Sequence, residues 1–246
     1  MEQKEENVLR KVGEEMQEQH IKKEKQKIIL ADVQDKIEKE RTMKLSIKEG
    51  SATSVMGGLG EAYITPYALA ISGRLGSLVV GFLSAFSGLL APLSQIVGSR
   101  LIERYKRKNL IAVGVALQAL MWLPILLLGL LFWKNLFVSS LPVILIIFYS
   151  LYAVFGSISG PAWFSLLGDI VPENIRGRYF SRRNKICGTI ALLATLAGAF
   201  ILDYFKTKGF LLIGFSVLFI GALVFRLISA WLFAKHYETK LELKQG

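Results

Sequence analysis

The chain has 246 residues, 52% of them apolar, and a formal charge of +11 with a single cysteine, Cys187. One cysteine excludes an internal disulfide framework, and no Cys or His spacing suggests a metal site. Residues 1–49 hold 12 Lys/Arg and 12 Asp/Glu, whereas residues 50–246 hold 18 basic residues against 7 acids, set between long apolar runs. That distribution is not the basic stripe of a soluble nucleic-acid-binding domain.

Residues 1–49 read as a charged cytoplasmic helix. Leu9, Val12 and Met16, then Leu30, Val33 and Ile37, fall in one heptad register that Gln19, Lys23 and Gln26 interrupt. A solvated helix and a partner-binding or membrane-surface helix both fit this pattern. His20 here, and His236 in the charged segment at the other end, read as ordinary surface histidines. The first apolar run begins near Ser51, so insertion is expected through the chain's own spans rather than through a leader.

A bilayer core about 30 Å thick needs roughly 20 apolar residues in a helix. Six stretches have that length: 52–72, 75–97, 110–132, 141–167, 186–204 and 210–234. The connection 98–109 carries Arg100, Arg104, Lys106, Arg107 and Lys108. The connection after the fourth stretch carries Arg176, Arg178, Arg182, Arg183 and Lys185, and the C-terminal tail adds Lys235, Lys240 and Lys244. The opposite side has only Arg74, Lys134, Lys206 and Lys208. The positive excess places both termini in the cytoplasm. The expected fold is all-α: an integral membrane six-helix bundle at 50–235, preceded by the charged helix and followed by a tail at 236–246.

Ionisable residues at membrane depth are functional candidates. Glu61 lies near the middle of the first stretch, in "GGLGEAYITPYA", where Gly57, Gly58, Glu61 and Thr65 recur at helical spacing and Tyr63, Pro66 and Tyr67 add polarity and a local distortion. A carboxyl there suits proton coupling or cation binding, with a structural Glu bonded to a neighbouring helix as the alternative. Arg226, in the sixth stretch, reads as snorkelling toward headgroups or pairing with a neighbouring helix rather than touching substrate. Ser84, Gly88, Ala91 and Gln95 share one side of the second stretch, and Tyr149, Tyr152, Gly156, Gly160 and Trp163 one side of the fourth. The aromatic face fits a small-molecule site or simple packing. The stripe of Gly188, Ala191, Ala194 and Gly198 in the fifth stretch fits close helix packing.

The connection "SRLIERYKRKN" is similar to the loop signature Gly-x-x-x-Asp-Arg-x-Gly-Arg-Arg/Lys of the major facilitator superfamily. Ser99 stands at the first Gly, Glu103 at the Asp, Arg104 at its Arg, Lys106 at the second Gly, and Arg107 and Lys108 at the closing basic pair. "LLGDIVPENIRGRYFSRRN" resembles a second family feature, an acid (Asp169) at the cytoplasmic end of the fourth helix followed by an Arg (Arg176), with Pro172 between.

The resemblance implies the N-terminal half of such a transporter, with its 3+3 inverted repeat, and a second six-helix half in the same chain or another. It implies a secondary transporter that moves a small, unidentified solute by alternating access, in the plasma membrane, with no cofactor, nucleic-acid partner or enzymatic activity. The first and fourth helices line the family's central cavity, so Glu61, Thr65, Tyr67, Tyr149 and Tyr152, with Gln95 from the polar side of the second, are the substrate or coupling candidates. Glu103, Arg104, Arg107, Asp169, Arg176 and Arg178 are the candidates for a cytoplasmic gate of breakable ion pairs. The sixth helix is peripheral in the family, which weakens Arg226 as a cavity residue. A non-transporting scaffold or sensor, working through the N-terminal helix, is the alternative.

Overall fold

The computed structural model describes residues 2–237, with side chains for residues 16, 17 and 20–237. The side chains of Leu9, Val12 and Gln19, and the tail with Lys240 and Lys244, lie outside the described residues. The chain divides into two compact units, 1–41 and 42–246.

The first unit is helical and belongs to α1 (Glu2–Met56). Met16, Ile28, Leu30, Val33 and Ile37 on it are exposed. Lys27–Glu24, Lys36–Asp32 and Lys39–Asp35 pair one turn apart, the spacing at which opposite charges support a helix without tertiary help.

In the second unit α1 continues into a single π-helical turn, Gly57–Glu61, and then into α2 (Ala62–Ser72). The remaining helices are α3 (Gly76–Leu101), α4 (Arg107–Leu120), α5 (Trp122–Trp133), α6 (Leu141–Ile170), α7 (Arg176–Thr207) and α8 (Leu211–Ala234). Among the described residues five continuous helical runs are long and apolar enough to cross a membrane: His20–Leu101, Arg107–Trp133, Leu141–Ile170, Glu173–Thr207 and Leu211–Ala234. The first of these turns at Gly73, whose φ of 52° suits a residue without a β-carbon. Beyond that turn α3 packs against α2, which two segments of one straight rod cannot do. The stretch 110–132, expected as one span, lies within the run Arg107–Trp133; α4 gives way to α5 at the single turn residue Met121, near Pro124, which lacks the N–H that would bond the Leu120 carbonyl.

α6 packs against α3, α4 and α5, and α8 against α4, α5 and α7. Close approach is built from missing side chains: a β-carbon at Gly98 of α3 would strike the backbone of Ile158 on α6. Along the helices the interior is layered. One apolar core gathers Met56, Tyr67, Trp122, Leu145, Tyr152, Phe215 and Phe219. Its rings meet edge to face, Tyr67 with Phe219 at 4.9 Å and Trp122 with Tyr152 at 5.1 Å. A second core, toward the basic end, gathers Ile111, Val115, Ala162, Leu166, Ile170 and Phe233. Between the two cores α4 and α8 bury three polar side chains, Gln118, Arg226 and Ser229.

The outer faces are apolar instead. Leu78, Phe82, Phe86, Leu89 and Leu93 on α3, and Leu192, Leu193, Leu196 and Phe200 on α7, are exposed. One sequence expectation is corrected here. His236 is not a surface histidine but is buried, its ring stacked on Phe233 at 5.2 Å and its Nδ1 3.0 Å from the Leu232 carbonyl. The turn that ends α8 folds the ring back onto the helix, and the Tyr237 N–H donates to Thr42 Oγ1 at 3.1 Å, tying this end of the chain to α1. His20 is exposed.

Candidate functional site

On α1 the residues Thr42, Ser46, Glu49 and Thr53 recur at intervals of three or four, which puts them on one helical face. Thr42, Ser46 and Glu49 are almost fully buried, Glu49 with 3% of its surface exposed. A buried carboxylate needs charge and hydrogen bonds to replace water, and both are supplied. Arg183 of α7 donates from Nη2 to Glu49 Oε2 at 3.2 Å, while Thr53 Oγ1 and Ser229 Oγ donate to Oε1 at 2.9 and 3.3 Å. Arg183 Nε is also held by Ser46, through its carbonyl and hydroxyl at 3.3 Å. Its guanidinium lies over the Trp163 ring, 4.8 Å from the centroid, a cation–π contact.

Arg226 does not snorkel. It is buried between the cores, where Nε and Nη2 both donate to Gln118 Oε1 of α4, and Nη1 donates to Thr53 Oγ1 at 2.9 Å. Pairing with neighbouring helices, the other half of the sequence expectation, is what the structure contains. A cavity of about 190 Å³ opens beside this network, lined by Glu49, Thr53, Ser159, Trp163, Arg183 and Arg226 with Gly156 and Gly160.

A second polar cluster surrounds Glu61. The π turn widens the helix by one residue, and Gly58 within it lies so close to α7 that a β-carbon there would meet the Ala191 carbonyl oxygen at 2.8 Å and the Thr195 nitrogen at 2.9 Å. Ala191 and Ala194 thus serve close packing, and Gly198 does the same beneath the Tyr63 ring. At the end of that turn Glu61 is exposed. Tyr152 donates its hydroxyl to Glu61 Oε1 at 2.6 Å, and Tyr149 stacks on Tyr152 at 5.4 Å. Glu61, Tyr149 and Tyr152 are therefore together. Thr65 and Gln95 are exposed, and among the described residues no hydrogen bond joins either to Glu61. Tyr67 belongs to the apolar core, its hydroxyl donating to the Ile125 carbonyl at 2.8 Å.

At the basic end, Arg107 is completely buried and donates from Nη1 to Asp169 Oδ2 at 2.6 Å and to Ser165 Oγ at 2.9 Å. This ties the start of α4 to the end of α6. Arg176 does not reach Asp169. It donates to the carbonyls of Gly168 and Val171 at 2.8 and 3.4 Å, satisfying backbone groups that the end of α6 leaves open. Glu103, Arg104 and Arg178 are exposed.

The family model for the Major Facilitator Superfamily matches residues 51–245. The chain belongs to the major facilitator superfamily. It is accordingly a multi-pass membrane protein and a membrane transporter of the major facilitator type; members of this superfamily transport solutes and are not enzymes. No match was found among curated proteins or solved structures. For this facilitator the layered interior gives two polar clusters in one helical bundle, one closed and one open.

Sequence reasoning missed Glu49, Thr53, Gln118 and Ser229. Glu49 falls at the end of a charged run and reads as solvated. Signals for the group were nonetheless present. Glu49 and Thr53 share a helical face, Gln118 interrupts an apolar stretch, and Ser229 lies three residues beyond Arg226.

Proposed function

We propose that this facilitator is a six-span half that moves a small solute by alternating access, coupled to protons through Glu61. Both termini lie in the cytoplasm of a plasma-membrane protein, and a second six-helix half, in the same chain or another, completes the pathway. The observation that carries the coupling role is the Tyr152–Glu61 hydrogen bond of 2.6 Å on an exposed carboxyl at the end of a π-helical turn. A carboxyl with one phenol partner and an open side can lose that bond, take up a proton and release it, as a coupling group must in every cycle. Tyr149, stacked behind Tyr152, holds the phenol in place and offers an aromatic face to a solute.

The Arg107–Asp169 pair supports the gate assignment. One partner is buried and the other is half exposed, so the pair is within reach of a competing charge on an opposing half. Glu103, Arg104 and Arg178 are exposed and free to face that half, and Arg176 sets the end of α6. The exposed apolar faces of α3 and α7 are consistent with burial against lipid or the second half.

Proteoliposomes with an entrapped pH-sensitive dye test the reading when a panel of small solutes is added outside. A transported solute drives proton movement in the native protein. Glu61→Gln keeps solute exchange and abolishes the accompanying proton movement; proton movement that persists undiminished in this variant contradicts the coupling role. Absence of any solute movement, with a complementary half present, favours the scaffold alternative.

A further inference from the structure

We propose that the cavity beside Arg226 and Arg183 is a binding site for one small oxyanion, a carboxylate or a phosphate group. It is distinct from the Glu61 cluster, and its occupancy does not depend on proton coupling. The first ground is charge. Among the described residues lining the cavity there are two guanidinium groups, Arg183 and Arg226, and a single carboxylate, Glu49. Both cations are largely removed from water, Arg226 with 7% of its surface exposed and the Arg183 side chain with 12%. Buried charges of one sign are stable only where an opposite charge balances them, and Glu49 balances one of the two.

The second ground is geometry. Arg226 spends three of its five N–H groups on Gln118 and Thr53, and a guanidinium offers five in a planar fork matched to carboxylate and phosphate oxygens. A neutral donor lies in the same wall: Ser159 lines the space, and its hydroxyl, which donates to the Phe155 carbonyl at 3.4 Å, can rotate to an anion. The third ground is room. Gly156 and Gly160 of α6 line the cavity, and a β-carbon at Gly160 meets nothing within 4 Å. A volume of about 190 Å³ is several times the roughly 30 Å³ a water molecule occupies in the liquid, so it accommodates a small anion and not a polymer or an acyl chain. Trp163 forms one wall with its face toward Arg183, which leaves the cavity amphipathic in the way of small-molecule sites.

The anion has two possible sources, a soluble metabolite and the phosphate of a lipid headgroup, and the test separates them. Thermal unfolding of the purified chain in zwitterionic nanodiscs is followed with potassium phosphate or potassium succinate, against potassium chloride at equal ionic strength. The expected result is a saturable rise in unfolding temperature with at least one oxyanion and none with chloride. Arg226→Gln weakens that binding by at least about tenfold, the loss of one charge-assisted hydrogen bond. Glu49→Gln keeps an oxygen for the Thr53 and Ser229 hydroxyls but gives up the bond from Arg183, and it tightens binding, because the competing negative charge is gone and Arg183 is released to the anion. Gly160→Leu, placed where a β-carbon meets no neighbour within 4 Å, fills the cavity and abolishes the response, which keeps the test available should Arg226→Gln not fold. Replacing part of the lipid with phosphatidylglycerol assigns the source. Suppression of the soluble-anion response identifies a headgroup phosphate as occupant, and an unchanged response identifies a soluble anion. No saturable response in zwitterionic nanodiscs, or one undiminished in both Arg226→Gln and Gly160→Leu, overturns the proposal.

Discussion

Two glutamates twelve residues apart on one helical run live under opposite conditions. Glu49 is enclosed, with a guanidinium and two hydroxyls on its oxygens. Glu61 stands at the end of a π-helical turn, exposed, with the Tyr152 phenol on one oxygen. The difference separates two uses of a charge in a membrane bundle. A carboxylate whose oxygens are all engaged by fixed partners holds helices together and sets the local potential. One engaged by a single neutral donor on an open face can exchange its proton. The closed cluster joins α1, α4, α7 and α8 between two apolar cores, while the open one joins α6 to the end of the widened turn.

The largest expected effect comes from making the closed glutamate more like the open one. Arg183→Ala removes the direct ion-pair partner of Glu49 and leaves the carboxylate buried, for which a loss of about 3–5 kcal/mol is expected. Thermal or denaturant unfolding in detergent reads it, and adding Glu49→Gln to the same chain should recover much of the loss. A double variant no more stable than Arg183→Ala would show that Arg183 acts by packing against Trp163 instead. Asp169→Asn probes a case between the two, since Arg107 is fully buried but the Asp169 side chain is 47% exposed. The cost falls to about 1–2 kcal/mol, because solvent already screens the acid, and Asp169→Ala should cost more than Asp169→Asn.

The smallest effect concerns a third buried titratable group. Burial holds the His236 ring below its ordinary value of 6.5, against the opposing pull of the Leu232 and Phe233 carbonyls. The unfolded chain therefore binds this proton more readily than the folded one, so stability is complete above about pH 6.5 and declines as pH falls toward the folded value. His236→Gln should flatten that part of the pH–stability curve, and a slope that persists unchanged assigns it to other groups.

Much of the helical layout was legible in the sequence, because apolar runs of about 20 residues admit little else in a bilayer. The turn near Gly73 and the pairing of Glu61 with the aromatic face of α6 lie among positions the residue pattern singled out. The turn residue at Met121 carried only a weak signal, a proline three residues later. The closed cluster was harder to read. Arg183 and Arg226 were visible as charges, but Arg183 is one of five basics in a run whose number topology already explains, and Glu49 sits among solvated acids. Burial of these groups depends on α1 lying against α7 and α8, a tertiary fact that no local period encodes. His236 was misread for the same reason, since only the fold-back after α8 covers it.

The distinction between an open and a closed carboxyl is tested most directly by chemistry at the two glutamates. Treating the native protein in membranes with a hydrophobic carbodiimide, followed by peptide mapping, reports which carboxyl is reachable and able to take up a proton. The structure predicts modification at Glu61, loss of solute-driven proton movement in parallel with it, and an unmodified Glu49. Modification of Glu49 with Glu61 left intact would contradict the account.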